Sequence, residues 1–231
     1  MTGAALLAAS AALHGGAGRV YVALLGAPPL GCDTSQPELM FRAPASLALA
    51  GLTAVCGCGG GVSVAAVLPA VLAQAPRLVL DADALNAIAA DRDLQTALTA
   101  RAAQAFTTVL TPHPLEAARL LGCTTAQVQH DRVAAAQALA QRFQAVAVLK
   151  GSGTVVAAPG GPVHINPTGN ARLGTAGTGD VLAGLIGARL AAGLPGLQAA
   201  CAAVYQHGAV ADDWAPGVAL TASALARALQ P

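Results

Sequence analysis

Apolar and polar positions alternate along the chain in two textures. Short, continuous apolar runs bounded by glycine, proline or a polar residue read as buried strands over residues 19–25, 53–56, 77–80, 107–110 and 146–149. Longer Ala/Leu-rich or periodic stretches read as helices. These cover residues 2–14, stopped by Gly15-Gly16, a segment within 63–74, residues 93–104, and residues 115–121, closed by Gly122. A longer helix over 125–143 follows, with Val128, Val133, Ala136, Leu139 and Ala140 at helical spacing, and three more cover 178–192, 197–214 and 221–229. Residues 154–158 and 163–166, joined through Pro159-Gly160-Gly161-Pro162, read as a hairpin, and residues 26–32 as a Pro/Gly loop. Strands alternating with helices predict an α/β fold, a single domain over residues 1–231 with a mostly parallel central sheet and helices on both faces.

The charge-free stretch 43–76 is long enough to cross a bilayer. Its middle reads Cys56-Gly57-Cys58-Gly59-Gly60-Gly61 and Pro69 follows, so a strand, a glycine loop and a buried helix are expected there, with no membrane span and no signal peptide. Hydrophobic residues make up 55% of the chain and charged ones 10%, well below the usual share of about 25%. A surface so thin in charge predicts self-association. The net charge of +1, with no Lys/Arg cluster, excludes a basic footprint for nucleic acid. Five scattered cysteines set among apolar residues fit buried thiols in a reducing, cytoplasmic compartment. Cys56-Gly57-Cys58 lacks a second ligand pair at zinc spacing, so no metal site is assigned from protein ligands.

The polar residues gather just past the carboxyl ends of strands, where open α/β sheets bind ligands: Gly57 to Gly61, Asp81 and Asp83, Thr111 and His113, Lys150 and Gly151. Gly177-Thr178-Gly179-Asp180 opens an apolar helix. Its first-turn N–H groups and positive dipole end favour a phosphate, and the carboxylate beside them suits a base that takes a proton from an attacking hydroxyl. A helix cap is the competing role for Asp180, and for Asp81 and Asp83 as well. Lys150 is the only lysine in the chain, placed to meet phosphate as a compact charge. His113, between two prolines, is open to a structural bond or a substrate contact, and Glu116 three residues on is within facing distance; His14, His130, His164 and His207 read as surface or capping groups.

Met1 to Ala9, Pro37-Glu38-Leu39-Met40, Asp81-Ala82-Asp83-Ala84-Leu85-Asn86, Leu110-Thr111-Pro112-His113-Pro114, Leu149 to Thr154, Asn166-Pro167-Thr168-Gly169-Asn170 and Gly177 to Gly184 follow one another in an order that resembles the NAD(P)H-hydrate dehydratase family of the ribokinase-like superfamily. The resemblance implies repair of hydrated NADH or NADPH, with ADP or ATP as phosphoryl donor, Mg²⁺ as cofactor and loss of phosphate from a phosphorylated intermediate. It implies Asp180 as base, Gly177, Thr178 and Gly179 as anion hole, Lys150, Gly151, Ser152, Gly153 and Thr154 in the nucleotide site, and Ala4, Gly59 and His113, with Asp180, as substrate contacts. A homo-oligomer, possibly a tetramer, and an NAD(P)H-hydrate epimerase as functional partner are implied too. The family's usual first strand and Gly-Gly-Ser loop would precede Met1, so the domain is expected to lack them, and its usual Gly-Pro-Gly-Leu-Gly stands here as Gly57-Cys58-Gly59-Gly60-Gly61. Two alternatives are a vitamin-type small-molecule kinase of the same superfamily and a non-catalytic nucleotide-binding relic.

Overall fold

The structure, a computed structural model, describes residues 1–26 and 31–231. The expected loop over 26–32 therefore lies mostly outside the described residues. Helix α1 (Thr2–His14) leads to a small parallel pair, β1 (Tyr21–Val22) and β2 (Met40–Phe41). The main sheet holds β3 (Thr53–Cys56), β4 (Arg77–Leu80), β5 (Thr107–Leu110), β6 (Val146–Leu149), β7 (Val155–Ala157) and β8 (Val163–Ile165), in that spatial order. The first four run parallel and the last two return antiparallel as the expected hairpin.

Consecutive parallel neighbours joined by right-handed crossovers put every connecting helix on one face. That face carries α2 (Val64–Gln74), α3 (Ala82–Ala90), α4 (Arg92–Ala100), α5 (Pro114–Leu121), α6 (Thr125–His130) and α7 (Arg132–Phe143). Their apolar sides pack with Leu78, Leu80, Leu110, Ala147 and Leu149. Alternate strand residues, Val79, Val109, Val146 and Val148, point the other way. They meet α1, α8 (Thr178–Ala191), α9 (Gly196–Asp212) and α10 (Ala222–Ala228). Burial on both faces is why the strands read as unbroken apolar runs. Small residues set the spacing of α1 and α8: a Cβ at Gly184 would stand 2.0 Å from the Ala8 carbonyl oxygen, so the two backbones touch.

Three expected elements are corrected. The strand over 19–25 shrinks to Tyr21–Val22, because its partner offers only Met40–Phe41; the Val20 and Val22 carbonyls accept from Met40 and Arg42. The helix over 125–143 breaks at Asp131, whose carboxylate accepts from the Ala134 N–H and starts α7 as a separate helix. The helix over 93–104 ends as an α-helix at Ala100 and tightens into a 3₁₀ turn, Arg101–Gln104. No helix among the described residues is long and apolar enough to cross a membrane; the charge-free stretch folds as β3, a glycine loop and α2.

Candidate active site

The carboxyl ends of β3 to β6 bring their polar residues to one place. Thr111 and Lys150 follow β5 and β6, and each N–H bonds back to the neighbouring segment, at the Leu80 and Pro112 carbonyls. Asp81, only 2% exposed, then receives the Lys150 ammonium at 2.7 Å and the Thr111 hydroxyl at 2.8 Å on Oδ1. Asp81 stands at the head of α3 without capping it, so its carboxylate serves the cluster instead. Burial by itself would lower the Lys150 pKa, but the Asp81 and Glu116 carboxylates outweigh it and hold the ammonium charged above its usual range. Lys150 is therefore a half-buried, paired cation and not a solvated strand end.

Gly177, at φ 92°, turns the chain into α8 and has no side chain with which to cap it. The Thr178 N–H turns back to the Thr175 carbonyl at 3.4 Å, and the Gly179 and Asp180 N–H groups are left for a ligand. A Cβ on Gly179 would lie 3.4 Å from the Lys150 Nζ, so ammonium and helix N-terminus converge on one anion-sized position. Asp180, half-buried in this turn, is pushed above the usual carboxylate range by burial and by the Asp81 charge, with the Cys58 thiol and Lys150 opposing. A carboxyl so placed has gained affinity for a proton, as a general base requires.

The loop after β3 forms the adjoining wall. Gly57 needs its φ of 118° and its missing side chain, since a Cβ would stand 1.8 Å from the Asp81 carbonyl oxygen. Asp83 accepts the Gly61 N–H at 2.7 Å and ties the loop to α3. Gly59 lies against Met1 and Ala4, where a Cβ would meet the Ala4 methyl at 2.9 Å. Ala4 is 5% exposed and packs in the same core as Cys58, Val181 and Leu182. Of the expected substrate contacts, Gly59 and Ala4 thus come together beside α8, with Ala4 largely covered.

His113 caps α5. Its Nδ1 accepts from the Leu115 and Glu116 N–H groups, and Glu116 accepts from the His113 N–H at 2.8 Å and faces Nε2 at 3.3 Å. The structural bond is made, and the side chain stays 46% exposed. Gly151, Ser152 and Gly153 form an exposed turn closed by the Thr154 hydroxyl donating to the Gly151 carbonyl. Arg132 grips this turn through the Leu149, Lys150 and Gly153 carbonyls at 3.1–3.4 Å. Asn166 to Asn170 dock on α9, where Asp212 accepts from the Gly169 N–H at 2.7 Å and from Asn170 at 2.9 Å.

Several participants escaped the sequence reading. Arg132 and Asp212 sit on helices with nothing local to mark them. The reading of His207 as a surface or capping group is corrected: it is 7% exposed and bonded to the Thr178 carbonyl, because α9 turns that face onto α8. The buried-thiol reading holds in full only at Cys58: Cys56, Cys123 and Cys201 are half-buried and Cys32 is exposed. Cys58 belongs to the site. Its thiol lies 3.8 Å from Asp81 Oδ2 and is kept protonated, its pKa raised by burial and by the Asp81 and Asp180 charges.

Ligand atoms of Cys58, Asp81 and Asp180 all fall within 4.8 Å of one another. A protonated thiol is a poor ligand for a hard cation. The carboxylates of Asp81 and Asp180 in the same group do fit Mg²⁺, which takes one or two carboxylates and completes its shell with waters and phosphate oxygens.

An uncapped glycine turn, a paired lysine and a basic carboxylate at the strand ends of a parallel sheet define a phosphate-handling α/β enzyme of the ribokinase-like kind. A ribokinase-like protein from Enterococcus faecalis shares the fold at TM-score 0.77 and 24% identity, over 98% of this chain and 80% of that one. The sequence profile of the NAD(P)H-hydrate dehydratase family matches residues 1–231, and the chain belongs to that family. The ADP-dependent (S)-NAD(P)H-hydrate dehydratase of Neisseria meningitidis is 42% identical over 238 residues, spanning all of this chain and 79% of that protein. The bifunctional NAD(P)H-hydrate repair enzyme of Escherichia coli is 40% identical over 91% of this chain, which spans only 40% of that protein. The ADP/ATP-dependent NAD(P)H-hydrate dehydratase of Bacillus subtilis, co-crystallised with ATP/Mg²⁺, superposes at TM-score 0.74 and 30% identity, over 98% and 82% of the two chains.

Proposed function

We propose that the protein dehydrates hydrated NADH or NADPH back to the dinucleotide, using ADP or ATP as phosphoryl donor. The observation that carries this is the convergence of the Lys150 ammonium and the open first turn of α8 beside a carboxyl of raised pKa. The terminal phosphate of the nucleotide rests against Gly177, Thr178 and Gly179 with Lys150 opposite, and the turn from Gly151 to Thr154 borders the same nucleotide. Asp180 takes the proton of the substrate hydroxyl as its oxygen attacks that phosphate. Phosphorus–oxygen bond formation on one side releases AMP or ADP on the other. The phosphorylated carbon then loses phosphate, a far better leaving group than hydroxide, and a proton leaves the neighbouring atom as the ring double bond returns. Gly59, Ala4 and the exposed part of His113 form the wall that orients the nicotinamide half. When bound, Mg²⁺ would offset phosphate charge, and Asp81 and Asp180 are the carboxylates placed to hold it through its water shell.

Incubation of the purified chain with hydrated NADH and either ADP or ATP tests this. Recovery of the reduced-nicotinamide absorbance with release of inorganic phosphate is expected. A stable phosphoester of the hydrate, or nucleotide binding without turnover, overturns it in favour of a kinase or a relic. The unpaired cysteines support a cytoplasmic setting, and an epimerase supplying the reactive epimer is the functional partner that this chemistry calls for.

A further inference from the structure

The turn that binds the anion has little means of holding its own shape. Two of its residues, Gly177 and Gly179, carry no side chain, and Gly177 adds a left-handed φ. Restraint has to come from outside, and it reaches the turn through Thr178. The Thr178 hydroxyl bonds the Leu173 and Thr175 carbonyls behind it at 2.7 and 2.9 Å. Its own carbonyl meets His207 Nε2 at 2.9 Å. A carbonyl only accepts, so Nε2 carries the proton, and burial, which disfavours the charged ring, leaves Nδ1 without one. The same face of α9 also holds the loop of residues 166–170, where the Tyr205 carbonyl accepts the Thr168 hydroxyl at 2.8 Å and Asp212 accepts the Gly169 N–H. Gly208 lets that loop lie close, since a Cβ there would strike the Thr168 hydroxyl oxygen at 2.2 Å.

We propose that His207 is a positioning residue for the reaction: by donating to the Thr178 carbonyl it sets the first turn of α8, aiming both the open N–H groups at the transferring phosphoryl group and the Asp180 carboxylate at the attacking hydroxyl. The proposal rests on the dehydratase reading, and its test is built so that the two fail separately. His207→Leu fills the site without a donor, His207→Gln places an amide N–H near the Nε2 position, and His207→Asn is too short to reach Thr178. The Leu variant should lose about 10–100-fold in kcat, the cost of a small misplacement of reacting groups, with the KM for hydrated NADH within about threefold. His207→Gln should recover most of the rate and Asn should not, at equal melting temperatures. A folded Leu variant with unchanged kcat overturns the proposal. Should Leu fail to fold, equal activity of Gln and Asn overturns it. If the wild-type chain itself does not turn over, the dehydratase reading fails. Calorimetric ADP affinity then decides for His207, with a loss of at least about threefold in Leu but not in Gln expected and equal affinities refuting it.

Discussion

Asp180 and Lys150 do different electrostatic work in the same few ångströms. Burial and the Asp81 charge raise the Asp180 pKa, so an ionised Asp180 costs the fold stability at neutral pH. The sign follows from linkage: a group with a raised folded pKa favours the fold below its unfolded pKa of 3.8, and that support is lost as pH rises through the folded value. Asp180→Asn should therefore keep or raise the melting temperature at pH 7 while turnover falls about 10²–10⁴-fold, the usual worth of a positioned base. A fully active Asn variant would return Asp180 to the role of a cap. Lys150→Met should weaken nucleotide binding by about 1.5–3 kcal/mol, the range for hydrogen bonds to charged groups. It should also lower stability, because the buried Asp81 carboxylate loses its ion pair. Titration calorimetry and thermal melts on one preparation read both effects, and unchanged affinity refutes the phosphate contact.

The α1–α8 crossing is where small residues become an architectural requirement. Gly184 has the Ala8 carbonyl 2.0 Å from where its Cβ would be, and backbone cannot yield as a side-chain tip does. Gly184→Ala should cost about 1–3 kcal/mol by overpacking, measured by denaturant unfolding. Because α1 carries Ala4 and α8 carries Asp180, a displacement there should also slow turnover more than it weakens nucleotide binding. A neutral Gly184→Ala change would mean that the helices separate freely.

The acid stability of the protein should depend on His207, whose pKa is pushed down to about 4 chiefly by burial, against the Thr178 bond that would raise it. Its neutral form supports the fold above the unfolded value of 6.5, and that support is lost as pH falls toward 4, a difference of about 3 kcal/mol. Denaturant melts at pH 7 and pH 4.5 should show a smaller loss for His207→Gln than for the wild type; equal losses refute the assignment. The charge-poor surface leads to a separate expectation, self-association at micromolar concentration. Sedimentation showing a stable monomer would contradict it.

Local chemistry was enough to announce the α/β alternation, the hairpin, the strand-end crevice and the glycine turn before Asp180, because each depends on residues a few positions apart. Runs such as Leu78, Val79 and Leu80 disclose burial on two faces directly. What the chain could not announce depends on partners far away in sequence. The strand at 19–25 was cut to two residues by the length of β2, and the 125–143 helix was divided by the capping bond of Asp131. The pairing of Lys150 with Asp81, 69 residues apart, and of His207 with Thr178, 29 apart, exists because crossovers stack strand ends and lay α9 on α8. Only that packing decided which carboxylate holds the lysine, which is left basic, and which histidine is shut away from water, since desolvation and charge act through space and not along the chain.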